Sequence, residues 1–479
     1  MDLDAYKATL RRAAAPSVNG HWLYFTGIVI VALGCLYFGF TASVQDPLHL
    51  YEGLLILVLA TWPALRWAKQ AGNHFPLFEV VMLTTANTYA MPILSSHEQL
   101  RMYDINTISL SGEAVILYQL LAIASHSLLR GRPGRSAFFT HEVIARELNR
   151  YIGYALVLTT VYTFVATFMD VIPNDLVGVF RACFGGIGIV SAFVQARRWG
   201  LGELAWGDRV FFVANLVVQL IIQFSTLFLV GGISLLVLAI VGYVSGSKRL
   251  PLVAVVLATL VVGLLHTGKS AMRAQYWDNT GFRRQATPSE LPAFFAEWIS
   301  ESLEENQATG NRTRMTTSLI ERTSLFHMLC LVTSRTPDPL PFLGGKTYGD
   351  IPGQLVPRFF WPDKPPGHVS TSTLSIYYGL QQQEDTVKTT IGFGLLAEAY
   401  ANYGLFGVGL LGCFFGALYK KVETLCLRSP LLSYAGLFQI VLVAWSFQTE
   451  FPMSMWLSSM SQATIAVLGV PFIVRNFLG

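Results

Sequence analysis

Apolar runs of about twenty residues recur from Trp22 to the C-terminus, each long enough to cross a bilayer as a helix. Lipid offers no hydrogen-bond partners, so such runs satisfy their backbone N–H and C=O groups internally. The composition agrees: 53% of the residues are hydrophobic and 13% are charged, where a soluble domain carries about a quarter charged. Mean hydropathy is +0.48. The chain reads as an all-α polytopic membrane protein. Residues 1–20 are polar and charged, so no cleavable signal peptide is expected, and the first apolar run is long enough to stay as an anchor.

The expected spans are 22–43, 50–66, 75–94, 110–129, 151–170, 174–194, 209–228, 231–246, 250–267, 391–419, 431–449 and 456–474. Basic residues give an independent check. Lys7, Arg11 and Arg12 precede the first span; Arg66 with Lys69, then Arg130, Arg132 and Arg135, then Arg197 with Arg198 follow every second one. Lys248 with Arg249, Lys420 with Lys421, and Arg475 continue the alternation, while the short loops on the other side carry only Arg101. Because cytoplasmic loops collect Lys and Arg, about twelve helices and two cytoplasmic termini are expected. The chain then divides into spans one to nine (1–267), a large segment outside the cytoplasm (268–390) and spans ten to twelve (391–479).

That outer segment is near neutral but blocky. Residues 290–305, ELPAFFAEWISESLEE, place Leu291, Phe294, Phe295, Trp298 and Ile299 at helical spacing, giving an acidic amphipathic helix expected to pack on protein. Residues 315–332 are apolar nearly all round apart from Glu321, Arg322 and His327, so they predict a helix that is buried or dips into the outer leaflet. Eight prolines from Pro337 to Pro366 then stiffen the chain. Within them LVPRFFWPDKPPG would seat Phe359, Phe360 and Trp361 at the bilayer interface and present Arg358, Asp363 and Lys364 at headgroup height. Only Cys330 of the five cysteines lies in this segment, so no disulfide can form within it, and no metal-type cysteine spacing occurs.

Two nucleotide motifs match by letter alone. GLLHTGKS (263–270) fits a P-loop and Gly407, Gly409 and Gly412 fit GxGxxG, but the first closes a span and the second lies inside one. There glycines more simply let helices approach. Nucleotide and nucleic acid are not expected partners.

Charges inside spans are costly and need a reason. Arg181 and Glu398 each lie about seven residues in from the outer side, on the order of 10 Å deep. Either they form a structural bridge, or they belong to a site at the outer leaflet. Asn402 shares a helix face with Glu398 at i+4. Glu79 reads as a satisfied polar contact, and His126 and His327 as packing residues. His266, beside Lys269, is a weaker site candidate, while Asn215, Gln219 and Gln223 read as interhelical hydrogen-bond formers.

PFLGGKTYGD, then LVPRFFWPDKPPG, then the paired Thr389 and Thr390, then GLLAEAYANYGLFGVGL, together resemble the bacterial Wzy-type oligosaccharide repeat-unit polymerases of O-antigen and exopolysaccharide synthesis. The likeness is to the branch with a PRxxWPDKP … EAYxNxG signature and covers roughly residues 320–415. One departure is Leu395–Leu396–Ala397, where a small residue such as glycine is expected just before the glutamate.

The resemblance implies an inner-membrane glycosyltransferase with residues 268–390 as a periplasmic loop. It would move a growing glycan from one undecaprenyl diphosphate carrier onto the next lipid-linked repeat unit, in the bilayer and alongside a chain-length regulator and a flippase. An inverting reaction is expected. Arg181, Arg322, Arg358 and Lys364 would hold the diphosphate, whose charge grows as the carbon–oxygen bond breaks. Glu398, with Asp363 second, would be the general base; Tyr348, Asp350 and Asn402 would orient sugar. No DxD pair occurs in any outer segment, so no catalytic metal or other cofactor is expected. The alternatives are an O-antigen-type ligase, a lipid-linked glycan flippase, and a structural loop whose prolines and aromatics anchor at the interface while Arg358 and Lys364 only contact lipid phosphates. Losing one cation is expected to cost roughly 10² to 10³ in rate. Arg358→Ala and Glu398→Gln should each abolish polymer while the protein still inserts and folds. Wild-type chain lengths in either variant, read from a glycan gel, would remove that residue from catalysis.

Overall fold

A helix lies over each of the twelve apolar stretches. The structure, a computed structural model, describes residues 18–42, 44–70, 74–142, 149–169, 171, 174–277, 284–308, 324–356, 361, 364–387 and 390–473. In chain order the helices over those stretches are α1 (Val18–Thr41), α2 (Pro47–Lys69), α3 (Leu77–Leu94), α4 (Ile105–Leu128), α5 (Asn149–Phe168), α6 (Asn174–Gly200), α7 (Trp206–Phe224), α8 (Leu229–Ser247) and α9 (Leu252–Thr267). Residues 268–390 contribute α10 (Lys269–Tyr276), α11 (Leu291–Ala308), α12 (Phe326–Arg335), α13 (Ile351–Leu355) and α14 (Val369–Tyr377). The bundle closes with α15 (Gly394–Leu425), α16 (Tyr434–Trp445) and α17 (Met453–Ile473).

By length and composition, six helices among the described residues could cross a membrane: α2, α3, α4, α7, α15 and, in α1, His21–Thr41. Shorter apolar helices lie in α5, α8, α9 and α16. Apolar side chains stand exposed along α1 (Leu33, Leu36, Phe40) and α9 (Val253, Leu257, Leu260). Contiguous apolar surface of that kind belongs in lipid rather than water. The protein is an all-helical membrane protein.

Two helix seams form the bundle's centre, α15 on α4 and α8 on α6. Both depend on small residues. A side chain at Gly412 would place its Cβ 2.6 Å from the Tyr118 carbonyl oxygen, and one at Gly416 would collide with the Ala122 carbonyl oxygen one turn further along α4. Of the glycines that match a nucleotide motif by letter, Gly409 and Gly412 therefore lie along this helix–helix contact, while Gly407 packs against the Ala399 carbonyl across the break in its own helix. The other match has helices on both sides of Gly268, with no strand before it. Gln219 ties α7 to α5 by donating to Thr160 Oγ1 at 2.8 Å, as its position in an apolar span predicts.

Parts of residues 268–390 pack on the bundle. Phe294 and Trp298 of α11 are buried in a cluster with Phe224, Leu265 and Met272, so this acidic helix packs on protein. Helix α12 is buried on nearly every side, against α4 and α15. It starts at Phe326, and the earlier part of the 315–332 expectation lies outside the described residues. Thr333 on α12 meets Ser111 on α4 through their hydroxyls at 2.7 Å, and Leu325 N–H donates to the Thr88 carbonyl at 3.0 Å. Thr88 sits in a π-helical stretch of α3, Ala86–Ala90, where a widened turn leaves carbonyls available. His327 stacks on His97 with centroids 5.5 Å apart. Burial, and then His97, hold its pKa down to about 4, so it packs as a neutral ring.

Because a backbone carbonyl cannot yield as a flexible side chain can, Gly416→Ala should overpack the α4–α15 seam and cost about 1–3 kcal/mol. Gly34→Ala, on α1 with nothing within 4 Å of the added carbon, should stay within about 0.5 kcal/mol of wild type. Thermal unfolding of the two variants in detergent measures the contrast; equal melting temperatures would deny the seam its tight contact.

Candidate functional site

Helix α15 is broken. Tyr403 (φ −143°, ψ 16°) and Gly404 (φ 59°, ψ −148°) leave helical geometry, dividing it into a short N-terminal piece that carries Glu398 and Asn402 and a long C-terminal piece. A left-handed φ suits glycine, and a Cβ at Gly404 would also press on the Phe342 ring at 2.9 Å. A break deep in a bundle releases carbonyls that need donors. Those of Ala401 and Asn402 receive the N–H groups of Leu343 and Gly344 at 2.9 and 3.2 Å. The stretch PFLGGKTYGD is therefore folded onto the break in EAYANYG. The glycine pair in PFLGGK has a local cause too: Gly344 and Gly345 both take positive φ (57° and 93°), and a side chain at Gly345 would strike the Tyr403 hydroxyl.

Asn402 fastens the arrangement with its whole amide. Nδ2 donates to Thr347 Oγ1 at 2.9 Å and to the Glu398 carbonyl at 2.8 Å, while Oδ1 accepts the Gly345 N–H at 3.0 Å. Glu398 is fully buried. Its Oε2 accepts the Met453 N–H, at the start of α17, at 2.6 Å; its Oε1 is buried without a hydrogen-bond partner. The Thr347 hydroxyl lies against this carboxylate as a polar neighbour, and the Asp350 carboxylate lies within electrostatic reach of it. The Ser370 hydroxyl stands within hydrogen-bond distance of the Thr347 carbonyl, Asp350 Oδ2 and Ser454 Oγ, joining loop, α14 and α17. Tyr348 stacks on Tyr403 with centroids 6.3 Å apart. Burial, then the charge of Glu398, pushes its hydroxyl well above the ordinary tyrosine range, so it stays a neutral donor.

Of the expected site residues, Glu398, Asn402, Tyr348 and Asp350 come together here. Lys364 is buried in the adjoining loop and donates to the carbonyls of Gln354 (3.2 Å) and Val356 (2.7 Å). Ser458 of α17 donates to the same Gln354 carbonyl at 3.0 Å, so Lys364 helps hold the proline-rich loop against α17. Arg322, Arg358 and Asp363 lie outside the described residues. The backbone of Arg181 lies in α6, which packs on α5, α8, α16 and α17; its side chain is outside the described residues. Thr347, Ser370, Ser454 and the Met453 N–H complete the site and escaped the sequence reading. Gly404 in ANYG was the one available cue, since a glycine two residues past a buried polar residue can mark a helix break.

Fold and site define a helical membrane protein with a discontinuous helix that holds a sealed carboxylate under a docked loop. Residues 154–464 match the family described as a domain of unknown function, DUF8712, and the chain belongs to that family. No curated protein and no solved structure matches it.

Asn402→Ala would leave the Gly345 N–H without its acceptor and the Thr347 hydroxyl without its donor, at a cost of about 1–3 kcal/mol. Limited proteolysis of the purified protein should then cut the 341–356 loop faster than in wild type. An unchanged rate would mean that Asn402 does not hold the loop.

Proposed function

We propose that this protein is a membrane glycosyltransferase that polymerises undecaprenyl-diphosphate-linked oligosaccharide repeat units at the periplasmic face of the bacterial inner membrane. The reading includes twelve crossings, cytoplasmic termini and a periplasmic segment at 268–390. The observation that carries it is the meeting of two of the stretches that resemble the Wzy-type polymerases: Leu343–Gly345 caps the break in α15, and Glu398 lies beneath Thr347 and Asp350. Stretches more than fifty residues apart in sequence thus converge on one carboxylate, as a shared site requires.

In the proposed reaction an acceptor sugar hydroxyl attacks the anomeric carbon of the donor glycan. A new carbon–oxygen bond forms, the bond to the carrier diphosphate breaks with inversion, and undecaprenyl diphosphate leaves with the electron pair. Glu398 takes the hydroxyl proton, for which a carboxylate oxygen without a hydrogen-bond partner is suited. Tyr348 and Asp350 orient sugar from the loop side. Arg181, Arg322 and Arg358 bind the diphosphate, Arg through bidentate contacts; Lys364 adds a point charge after releasing its loop carbonyls. Glu398 has no exposed surface, so the Thr347–Asp350 stretch must lift for the acceptor to enter.

A gel of surface and lipid-linked glycans from cells lacking the gene tests the reading. Single lipid-linked repeats without longer polymer are expected. Full-length polymer left on its carrier would replace the polymerase with a ligase, units trapped on the cytoplasmic side would replace it with a flippase, and an unchanged pattern would remove the glycan reading altogether.

A further inference from the structure

Glu398 and Glu423 lie near opposite ends of α15, on either side of its break, with about 28 Å of helix between Gly404 and Glu423 at 1.5 Å per residue. At the Glu423 end a cavity of about 500 Å³ is bordered by Arg66, His74, Glu79, His126, Lys420 and Glu423. The polar residues meet in pairs. His74 Nε2 lies 2.9 Å from Glu79 Oε1, and His126 Nε2 lies 2.7 Å from Glu423 Oε2. The two pairs also meet each other: one donor atom from each of His74, Glu79 and Glu423 lies within 4.8 Å of the other two. Two imidazole–carboxylate pairs could stand as simple polar contacts, as Glu79 alone reads from the sequence, where His126 reads as a packing residue. Such pairing leaves one atom unexplained. Glu79 is 4% exposed, and its Oε2 has no hydrogen-bond partner. A buried carboxylate oxygen beside a second buried carboxylate carries a heavy desolvation and repulsion cost that neutral contacts do not offset.

We propose that His74, Glu79 and Glu423 bind a first-row divalent cation, with zinc the best match, at the end of the bundle remote from Glu398. Mixed imidazole and carboxylate donors suit zinc and its neighbours over calcium or magnesium, which favour all-oxygen shells. Three protein ligands leave the fourth position of a tetrahedral ion facing the cavity, where water completes it. The surroundings hold the ligands in place. The Phe78 N–H donates to Glu423 Oε1 at 3.0 Å, and the His126 ring, stacked on Phe78 at 4.1 Å, supports Glu423 from the other side. Trp67 Nε1 donates to the His74 carbonyl at 2.8 Å and fixes the backbone of that ligand. The ion would cross-link α3 to α15 and neutralise both carboxylates. It takes no part in the reaction proposed at the Glu398 end.

Full-length protein purified in detergent without chelator should carry about one zinc per chain by elemental mass spectrometry. After stripping with chelator, zinc alone should restore the metal and raise the unfolding temperature. Glu79→Gln and His74→Ala should weaken zinc binding about tenfold or more, while Glu398→Gln retains it. Size-exclusion profiles matching wild type establish that the variants fold; if they do not, the wild-type titration decides alone. Stripped wild type that takes up neither zinc nor manganese, or a folded Glu79→Gln variant that binds zinc as wild type does, would overturn the site.

Discussion

The break in α15 is the constraint on which the Glu398 end of the molecule depends. A helix interrupted inside an apolar bundle exposes carbonyls that neither lipid nor apolar side chains can satisfy. The donors come from Leu343 and Gly344, so the loop must lie where it does for the break to be tolerated. Asn402 supplies a second layer of the same bond network, and the loop in turn covers Glu398. Backbone satisfaction, loop docking and the sealing of the carboxylate are one arrangement, and none of the three stands without the others.

Sealing has a chemical meaning. A carboxylate bonded through one oxygen to a helix-start N–H, with its other oxygen bare, is held in place but not fully solvated by the protein. Glu398 has no exposed surface, so bulk water does not reach it in this arrangement. In a polymerase such exclusion would protect a glycosyl donor from hydrolysis, a side reaction that competes whenever water reaches an activated sugar.

The two ends of α15 contrast. At the Glu398 end its polar groups bind the protein's own backbone around one acid. At the other end Glu423 joins Glu79 and two histidines beside an open cavity bordered by Arg66 and Lys420. Between them the helix is lined by the glycines that bring α4 close, so the two polar ends are held apart by a tightly packed apolar seam.

The sequence alone determined the helical class and the positions of the apolar helices, because each needs only its own twenty or so residues to become insoluble in water and self-satisfied in lipid. It also determined that Glu398 and Asn402 share a face, since a 3.6-residue period is local. Tertiary structure decided the rest. Thr347, Ser370 and Ser454 are ordinary hydroxyl residues until folding brings them to Glu398. Glu79 and Glu423, 344 positions apart, had no period or motif to link them. Lys364, conspicuous as a charge in a stiff loop, turned inward to the carbonyls of Gln354 and Val356, because a buried ammonium takes whichever acceptors the fold places within reach. Residue type sets what each group can bind; which partner it meets is set by helix packing, which brings distant segments together for the sake of buried area and leaves no trace in local spacing.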